Sequence, residues 1–319
     1  MTRALMIGKN DKIVLTGAAG LVGQNLAVLL REQGYTNLVG IDKQPHNTRI
    51  LRELNPRMTV VEADLARPGD WSEALRDARA LVMLQAQIGG AVYAEFVANN
   101  LTATETILAA CRAHGVSYIV HISSSVVNSQ AVDFYTETKK AQEQLVLASG
   151  IPCVVLRPTL MFGWFDRKHL GWLSRFMQRS PVFPIPGSGH YMRQPLYNRD
   201  FCRIISACLE RRITGETYNI SGMEEVDYID IIRTIKAVSG SRTRIIRIPY
   251  RAFWFLLRLY AVFDRNPPFT TKQLKALVTP DRFEVIPWDQ LFAVRRTPFA
   301  EAIHETFTDP RYAQITLEF

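Results

Sequence analysis

Short apolar runs alternate with amphipathic stretches along the first half of the chain. Six runs rich in Val, Ile and Leu predict β-strands, namely KIVLTG, NLVGID, TVVEAD, ALVMLQ, YIVHIS and CVVLRP. Between these runs, apolar residues at helical spacing predict helices at 21–33, 71–77, 92–114 and 135–148. Strands and helices in alternation are typical of a parallel sheet covered by helices on both faces. We therefore expect an α/β fold with a doubly wound parallel sheet.

The pattern changes after residue 158, where aromatic residues, Gly and Pro become frequent. The segment 161–197 predicts an excursion from the sheet with a helix near 170–177, whereas NRDFCRIISACLERR predicts an amphipathic helix and ETYNIS a returning strand. The remainder is mostly helical with one strand at RIIRIP. We therefore expect a larger domain from 12–160 plus about 198–222, and a smaller, mostly helical lobe from about 161–197 plus 223–319.

Composition fits a soluble globular protein. Of the 319 residues, 47% are hydrophobic and 21% charged. The net charge of +8 is scattered and comes without a long basic run or a recognised nucleic-acid motif, so it fits a small anionic ligand at least as well as nucleic acid, and we expect no nucleic-acid partner. No CxxC spacing indicates a zinc site or a disulfide framework, and the sequence shows no signal peptide or membrane-spanning run. We expect a cytoplasmic protein without a metal.

A glycine-rich turn follows the first predicted strand. In TGAAGLVGQNLAVLL, Gly17, Gly20 and Gly23 have GxxGxxG spacing and lead directly into a predicted helix. Glycine allows a tight turn and a close approach of the backbone to a pyrophosphate, and the helix N-terminus offers free N–H groups. Three glycines could equally make a simple turn, but their place between strand and helix favours dinucleotide binding, with Ala19, Leu21 and Val22 in the same loop.

An acidic residue ends the second predicted strand. Asp42 lies 19 residues beyond Gly23, near the distance at which a carboxylate accepts hydrogen bonds from an adenosine ribose. Because this carboxylate would repel a 2′-phosphate, NAD is favoured over NADP, although Lys43 and Arg49 weaken the preference. Asp64, after the third strand, is a weaker candidate for a contact with adenine.

The stretch HISSSVVNSQAVDFYTETKK contains candidate acid/base residues. Tyr135 and Lys139 are four residues apart in a predicted helix and share one face. A lysine ammonium beside a phenol would lower the pKa of the phenol, and a serine hydroxyl could hold the substrate oxygen. Next to a nicotinamide, these groups could support hydride transfer to or from a secondary alcohol. A YxxxK pattern is also frequent by chance on exposed helices, so its position after the fifth strand carries the argument.

These motifs together resemble one enzyme family. The TGAAGLVG turn, Asp42, NNLTAT, the three serines, YTETK and LRPTLMFG resemble the extended short-chain dehydrogenases/reductases, in particular nucleotide-sugar epimerases, dehydratases and ketoreductases, over about residues 12–222. The resemblance implies a Rossmann-type sheet with a C-terminal substrate-binding lobe. It also implies a homodimer formed by the helices at 92–114 and 135–148.

The resemblance implies roles for individual residues. Tyr135 would be the acid/base, Lys139 would lower the pKa of Tyr135 and hold the nicotinamide ribose, and Ser125 occupies the catalytic serine position. Substrate would contact Ser124, Ser125 and Arg193, the last of these at the diphosphate, seven residues before the helix-starting Asp200. The implied cofactor-binding set is Gly17, Ala19, Gly20, Leu21, Val22, Gly23, Asp42, Lys43, Asp64, Leu65, Gln85, Ala86, Asn100, Ser123, Tyr135, Lys139, Pro158 and Thr159.

The sequence departs from the family pattern around the serines. Ser125 is followed by VVN rather than Tyr-Gly, and nine residues separate it from Tyr135, so the rim of the site is expected to be trimmed. The leading hypothesis is an NAD-dependent 4-epimerase of nucleotide-diphosphate sugars. The alternatives are an NAD(P)H-dependent reductase of 4-keto sugar nucleotides and, in another class, a dinucleotide-binding scaffold or redox-sensing subunit without turnover.

An apolar helix is predicted at 250–266. Its arginines, Arg251, Arg258 and Arg265, are spaced by seven and lie on nearly one face. One interpretation is a helix on a membrane surface, which would suit an enzyme of surface-polysaccharide assembly. The other, which we favour from sequence, is a helix packed over the substrate pocket with its arginines directed to solvent.

Overall fold

A computed structural model describes residues 6–263, 270–279 and 283–318. The strands in these ranges are β1 Ile13–Thr16, β2 Leu38–Asp42, β3 Thr59–Glu62, β4 Ala80–Met83, β5 Ile119–Ile122, β6 Cys153–Pro158, β7 Met161–Phe162, β8 Val182–Pro186, β9 Met192–Arg193, β10 Leu196–Tyr197, β11 Thr217–Ile220, β12 Val226–Asp227 and β13 Arg244–Ile248.

The helices complete the secondary structure. In chain order they are α1 Leu21–Glu32, α2 Pro45–Leu54, α3 Tyr93–Phe96, α4 Ala103–His114, α5 Phe134–Leu147, α6 Leu170–Arg179, α7 Asn198–Arg211, α8 Tyr228–Ser239, α9 Tyr250–Phe263, α10 Thr271–Val278, α11 Trp288–Leu291 and α12 Phe299–Thr308. Short 3₁₀ helices lie at Asp70–Leu75 and Ser125–Asn128, and a π-helix at Val97–Thr102 joins α3 to α4.

The central sheet has seven parallel strands in the order β11-β6-β5-β4-β1-β2-β3. The order reverses between β1 and β4, since β2 and β3 extend to one side and β5, β6 and β11 to the other. In doubly wound sheets a ligand binds in the crevice at the carboxyl ends of the strands beside this reversal. The glycine-rich turn follows β1 and the three serines follow β5, so the topology brings both to the same edge.

Two apolar layers cover the sheet. Alternate residues of a strand point to opposite faces, so Ile13 and Leu15 of β1 join the layer that packs against α1 and α7, whereas Val14 joins the layer against α4 and α5. Both layers consist of fully buried aliphatic side chains over most of the sheet. This explains why the strands read as continuous apolar runs.

Several of the remaining elements share a separate apolar core. It joins Phe162, α6, β8, α8 and α12 through buried side chains such as Phe183, Ile232 and Ile303. Strand β8 pairs with β13 in a separate two-stranded parallel sheet. A seven-stranded parallel sheet with flanking helices and a largely helical C-terminal part is the architecture predicted from the sequence.

Several elements differ in detail from the sequence prediction. All six predicted sheet strands are present, but the predicted helix at 92–114 is divided by the π-helix, and the one at 71–77 is a 3₁₀ turn. Helix α2 was not predicted, because its apolar residues are few and only Asn47, Thr48 and Leu51 are buried. None of the helices in the described ranges is long and apolar enough to cross a membrane.

Candidate functional site

The glycine-rich turn has the shape that a pyrophosphate requires. Gly17 has φ +67°, and a Cβ there would lie 2.6 Å from the backbone nitrogen of Gln85. A Cβ on Gly23 would lie 2.4 Å from the carbonyl oxygen of Ala18, so no larger residue fits at the start of α1. Gly20 precedes the helix and supplies no side-chain cap, which leaves the N–H groups of Leu21 and Val22 directed out of the helix end.

Asp42 connects the second strand to this turn. Its carboxylate accepts hydrogen bonds from the backbone N–H of Ala19 at 3.0 Å and of Gln44 at 3.1 Å. Burial raises the pKa of Asp42, and the backbone donors oppose that rise. A carboxylate held against the glycine loop is placed to accept from the two ribose hydroxyls of an adenosine.

Lys43, next to Asp42, is paired with neighbouring side chains. Its ammonium donates to Asn99 at 2.6 Å and lies 3.8 Å from the carboxylate of Asp64. Both contacts involve the Lys43 ammonium, the positive charge that weakened the predicted preference for NAD over NADP. Leu65, next in the chain, is buried in the layer against α4.

Asn100 lies in the π-helix and joins two parts of the site. Its carboxamide accepts from the backbone N–H of Gln87 at 2.6 Å and donates to the Thr138 hydroxyl of α5 at 2.9 Å. Gln85, which begins this loop with Ala86, accepts from Thr16 at 2.6 Å. Single turns of π-helix often mark functional sites, and here the turn directs Asn100 between the loop after β4 and α5.

Tyr135 lies at the start of α5, beside the serines that follow β5. Burial raises the pKa of the Tyr135 phenol, and a hydrogen bond with Ser124 opposes that rise. Ser124 is buried and is the N-cap of the 3₁₀ turn that Ser125 begins. The contact therefore involves the second serine, whereas the sequence resemblance gave the catalytic position to Ser125, and that assignment stays a prediction.

Lys139 is fully buried one turn further along α5. Its ammonium donates to the carbonyl of Ile122 at 3.0 Å and to Gln142 at 2.5 Å. Burial lowers the pKa of Lys139 to about 7, and the Glu143 carboxylate opposes that shift. Because the pKa of Tyr135 is raised, the prediction that Lys139 lowers it also stays a prediction.

A buried polar chain lies behind these residues. Ser123 donates to Glu143 at 2.5 Å, and Glu143 accepts from the guanidinium of Arg157, with Nε at 3.0 Å. Arg157 in turn donates to Asn128 at 3.1 Å. The sequence prediction missed Glu143 and Arg157, although a glutamate four residues after Lys139 on the buried face of α5 needs such a partner.

The rim between the serines and Tyr135 is short and apolar. Val132 is 87% exposed, and Phe134 packs on Tyr93 with ring centroids 5.0 Å apart and on Phe96 at 5.8 Å. The side of the site that the family closes with a longer loop is formed here by these aromatic rings and one exposed valine.

Two residues predicted beside the nicotinamide end β6. Pro158 is the last residue of the strand, and the N–H of Thr159 donates to Ile220 of β11 at 2.9 Å. The Thr159 hydroxyl is buried and has no hydrogen-bond partner within the described ranges. A buried hydroxyl without a partner offers a polar contact to a ligand in the crevice.

Arg193 lies in β9, which pairs with β12 outside the seven-stranded sheet. Its guanidinium donates to the carbonyls of Leu277 and Thr279, the latter at 2.9 Å, at the C-terminal end of α10. Asp200 of α7 accepts from Thr297 at 2.9 and 2.7 Å and so ties α7 to the C-terminal segment. In the structure Asp200 therefore joins α7 to Thr297, and Arg193 caps the C-terminal end of α10.

A separate open cleft of about 750 Å³ lies at the amino ends of the strands, between Lys12, Asn37, Thr59 and Arg79. It is at the opposite edge of the sheet from the glycine turn and the serines. Ligands of doubly wound sheets bind at the carboxyl edge, so this cleft is not the dinucleotide site.

The residues at the carboxyl edge together fit a nicotinamide dinucleotide. The glycine turn leaves space that a Cβ would fill, the Asp42 carboxylate is held against that turn, and the Thr159 hydroxyl lacks a partner within the described ranges. The fold and site define a doubly wound α/β protein whose crevice between β1 and β4 fits a dinucleotide, with Tyr135 nearby.

Comparison with known proteins agrees with this class. The sequence model of the NAD dependent epimerase/dehydratase family matches residues 13–221. The chain belongs to this family, as the resemblance to the extended short-chain dehydrogenases/reductases predicted, and its cofactor is NAD. It is therefore an NAD-dependent enzyme related to nucleotide-sugar epimerases and dehydratases.

Individual relatives cover most of the chain. A Bacillus subtilis (strain 168) protein named "uncharacterized UDP-glucose epimerase YtcB" is 28% identical over 264 residues, 72% of this chain and 83% of that protein. A ceramide reductase of Caulobacter vibrioides is 23% identical over 237 residues, 74% of this chain and 73% of that protein. The crystal structure of the UDP-glucuronic acid 4-epimerase of Bacillus cereus with NAD is 25% identical, has a TM-score of 0.67 and covers 93% of this chain and 97% of that chain.

Proposed function

We propose that this protein is a 4-epimerase of nucleotide-diphosphate sugars that uses Tyr135, Lys139 and a neighbouring serine for proton transfer. The observation that carries the proposal is that Tyr135 and Lys139 lie one turn apart on α5, beside Ser124, which opposes the rise in the pKa of the Tyr135 phenol. The relatives support the substrate class, since they include proteins named as UDP-sugar epimerases.

In this proposal Tyr135 transfers a proton, and Ser124 and Lys139 assist it. NAD, when bound, supplies a nicotinamide that accepts a hydride and returns it. Ser124 is placed to hold the sugar hydroxyl and Tyr135 to remove its proton. The pKa of Tyr135 is raised by burial, so a nearby positive charge is needed to favour the phenolate, and Lys139, with a pKa of about 7, can carry that charge near neutral pH.

Arg193 is the candidate for the diphosphate. In the structure its guanidinium caps the last turn of α10, so binding of a diphosphate would exchange backbone carbonyls for charged oxygens. Charge-assisted hydrogen bonds of arginine to phosphate are stronger than those to carbonyls. The exchange would couple substrate binding to the position of α10.

One-way reduction of a 4-keto sugar nucleotide with NAD(P)H uses the same residues. The apolar rim of Val132, Phe134 and Tyr93 favours a substrate with a less polar group near the reacting carbon than an ordinary hexose carries. The two activities differ in the fate of the cofactor, because an epimerase retains it and a reductase exchanges it. A scaffold or redox-sensing subunit would bind the cofactor without turnover.

One experiment separates these functions. The purified protein is denatured, the released nicotinamide is identified, and the native protein is incubated with NAD or NADH and a panel of UDP-, dTDP- and GDP-sugars while NMR follows the products. Interconversion of C4 epimers without added NADH supports the proposal. Consumption of one equivalent of NADH per product supports the reductase, and cofactor binding without turnover across the panel overturns both. Turnover undiminished in Tyr135→Phe overturns the assignment of the base.

We further propose the division of labour expected from the sequence. Residues 12–160 and 198–222 would bind NAD, whereas 161–197 and 223–319 would bind substrate, which the separate apolar core of the latter supports. We propose a homodimer through α4 and α5 and a reducing cytoplasmic location, with four buried free cysteines in support of the latter. Sedimentation velocity of the purified protein tests the dimer.

A further inference from the structure

Helix α9 presents an unusual outward face. Phe253 is 9% exposed and anchors the helix, whereas Phe255 is 62%, Leu259 is 47% and Val262 is 76% exposed. These three residues follow the i, i+4, i+7 spacing and lie together on one side of the helix. Arg251 and Arg258 are exposed, as the interpretation favoured from sequence requires, but the apolar side chains of this face are exposed as well, and Arg265 lies outside the described residues.

The charged residues of α9 and the segment before it, within the described range, are all arginines. Arg251 and Arg258 are exposed and lie seven residues apart, along one edge of the apolar stripe. From residue 242 to residue 263 the sequence has five arginines and no acidic residue, and all five are exposed. The guanidinium of Arg258 lies 5.2 Å from the centre of the Trp254 ring, which is also partly exposed.

Apolar side chains beside a row of cations are the pattern of a helix that lies flat on an anionic membrane. In that arrangement the apolar stripe enters the boundary of the acyl chains, and arginines at its edge reach the lipid phosphates. Trp and Tyr, present here as Trp254 and Tyr250, prefer the interface. A second copy of the chain would instead bring the same arginines close to one another, which costs free energy.

We propose that α9 binds the surface of an anionic lipid bilayer through Phe255, Leu259 and Val262, with Arg251 and Arg258 on the headgroups. The protein would be peripheral, since α9 has 14 residues and a spanning helix needs about 20. Helix α9 packs on α10. The last turn of α10 accepts a hydrogen bond from Arg193. The proposed membrane helix is thus one element away from the residue proposed to bind the diphosphate, although membrane binding does not depend on that function.

Vesicle co-sedimentation of the full chain tests the proposal. Wild type is mixed with phosphatidylcholine vesicles or with vesicles that also contain phosphatidylglycerol, at low and at high salt. We expect sedimentation with the mixed vesicles, a loss of binding with phosphatidylcholine alone, and weaker binding at high salt because lipid charge is screened. Phe255→Glu with Leu259→Glu should lower the partition coefficient by at least about tenfold.

A matched double variant controls for added negative charge. Val285→Glu with Leu291→Glu changes two exposed apolar residues outside α9 and should bind the mixed vesicles like wild type. Circular dichroism and NADH binding check that each variant is folded. The proposal is overturned if wild type does not sediment with the mixed vesicles or if both double variants bind equally well. It is also overturned if wild type does not bind vesicles and the α9 variant is a monomer where wild type is a dimer. In that case a second copy of the chain covers the face.

Discussion

The Ser123 hydroxyl donates a hydrogen bond of 2.5 Å to the buried carboxylate of Glu143. The same carboxylate accepts from the guanidinium of Arg157 on the neighbouring strand β6. Glu143 therefore joins the end of β5, helix α5 and β6 directly behind Lys139. This side chain thus contributes to the position of the serines relative to α5.

Glu143→Ala should destabilise the protein strongly. It leaves the Arg157 guanidinium partly buried without its carboxylate, and breaking such a pair costs about 3 kcal/mol in the free energy of unfolding. Urea denaturation followed by circular dichroism measures the change. Glu137→Ala, an exposed position on the same helix, should cost about 1 kcal/mol or less. Equal losses in the two variants would contradict the role of the buried chain.

Gly23→Ala should weaken binding of NADH. A Cβ 2.4 Å from the Ala18 carbonyl forces α1 away from the turn and displaces the N–H groups that face the pyrophosphate. We expect the Kd for NADH, measured by calorimetry, to rise by at least about tenfold.

Gly34→Ala is the control for that substitution. Gly34 also has positive φ, +85°, but no atom lies within 4 Å of its added Cβ. The strain of a left-handed alanine costs about 1 kcal/mol of stability and leaves the Kd for NADH unchanged. NADH binding by Gly23→Ala with the wild-type Kd would show that the turn does not bind the pyrophosphate.

Ser124→Ala should lower kcat more than Ser125→Ala. Ser124 opposes the rise in the pKa of the Tyr135 phenol, whereas Ser125 begins the 3₁₀ turn. Removing a hydroxyl that orients the acid/base and the substrate costs about a hundredfold in rate, and we expect a tenfold or smaller loss at Ser125. Turnover of the sugar identified in the substrate panel is the measurement, with unchanged NADH binding as the check on folding. The reverse order would return the catalytic assignment to Ser125.

Lys139→Met should remove part of the pH dependence of stability. The pKa of Lys139 is lowered from 10.5 to about 7 in the folded protein, chiefly by burial. Between these values the unfolded chain binds the proton and the folded one does not, so this lysine makes the protein more stable as pH rises above about 7.

The measurement is the difference between wild type and Lys139→Met. Urea midpoints of the two proteins, compared from about pH 7 to about pH 9, should diverge in favour of wild type as pH rises. Taking the difference cancels the buried tyrosines and thiols, whose raised pKa values act in the opposite direction. Parallel midpoints across this range would mean that Lys139 titrates in the folded protein as it does in water.

The sheet and the glycine turn follow from local pattern. The inner strands β1, β4 and β5 are mostly apolar because both of their faces are buried, and Gly17 and Gly23 occupy positions where a Cβ would meet backbone. The apolar runs and the glycine spacing each involve residues close together in the sequence, so the sequence alone predicts the strands and the turn. The place of Asp42 beside the turn follows for the same reason, since the pairing of β1 with β2 fixes it.

Other parts of the site depend on contacts between distant residues. A π-helix has nearly the same apolar spacing as an α-helix, and what selects it at Val97–Thr102 is the pairing of Asn100 with Gln87 and Thr138. Three consecutive serines look alike in sequence, and only the end of β5 at Ile122 decides which hydroxyl meets Tyr135. The apolar composition of α9 predicts burial. Whether the helix is buried depends on which distant elements pack against it, and the sequence of the helix does not specify those elements.

Strand β11 completes one edge of the sheet, and α7 covers the face that α1 also covers, yet both follow the excursion through residues 161–197. During synthesis the first 158 residues leave the ribosome with the edge of β6 unpaired and the side chains of Leu26 and Leu30 without the partners that α7 supplies. Such an intermediate exposes an edge that pairs readily with other chains. We therefore expect correct folding to depend on how soon α7 and β11 are synthesised. A translational pause within residues 161–197 would prolong the exposure of the β6 edge and favour aggregation.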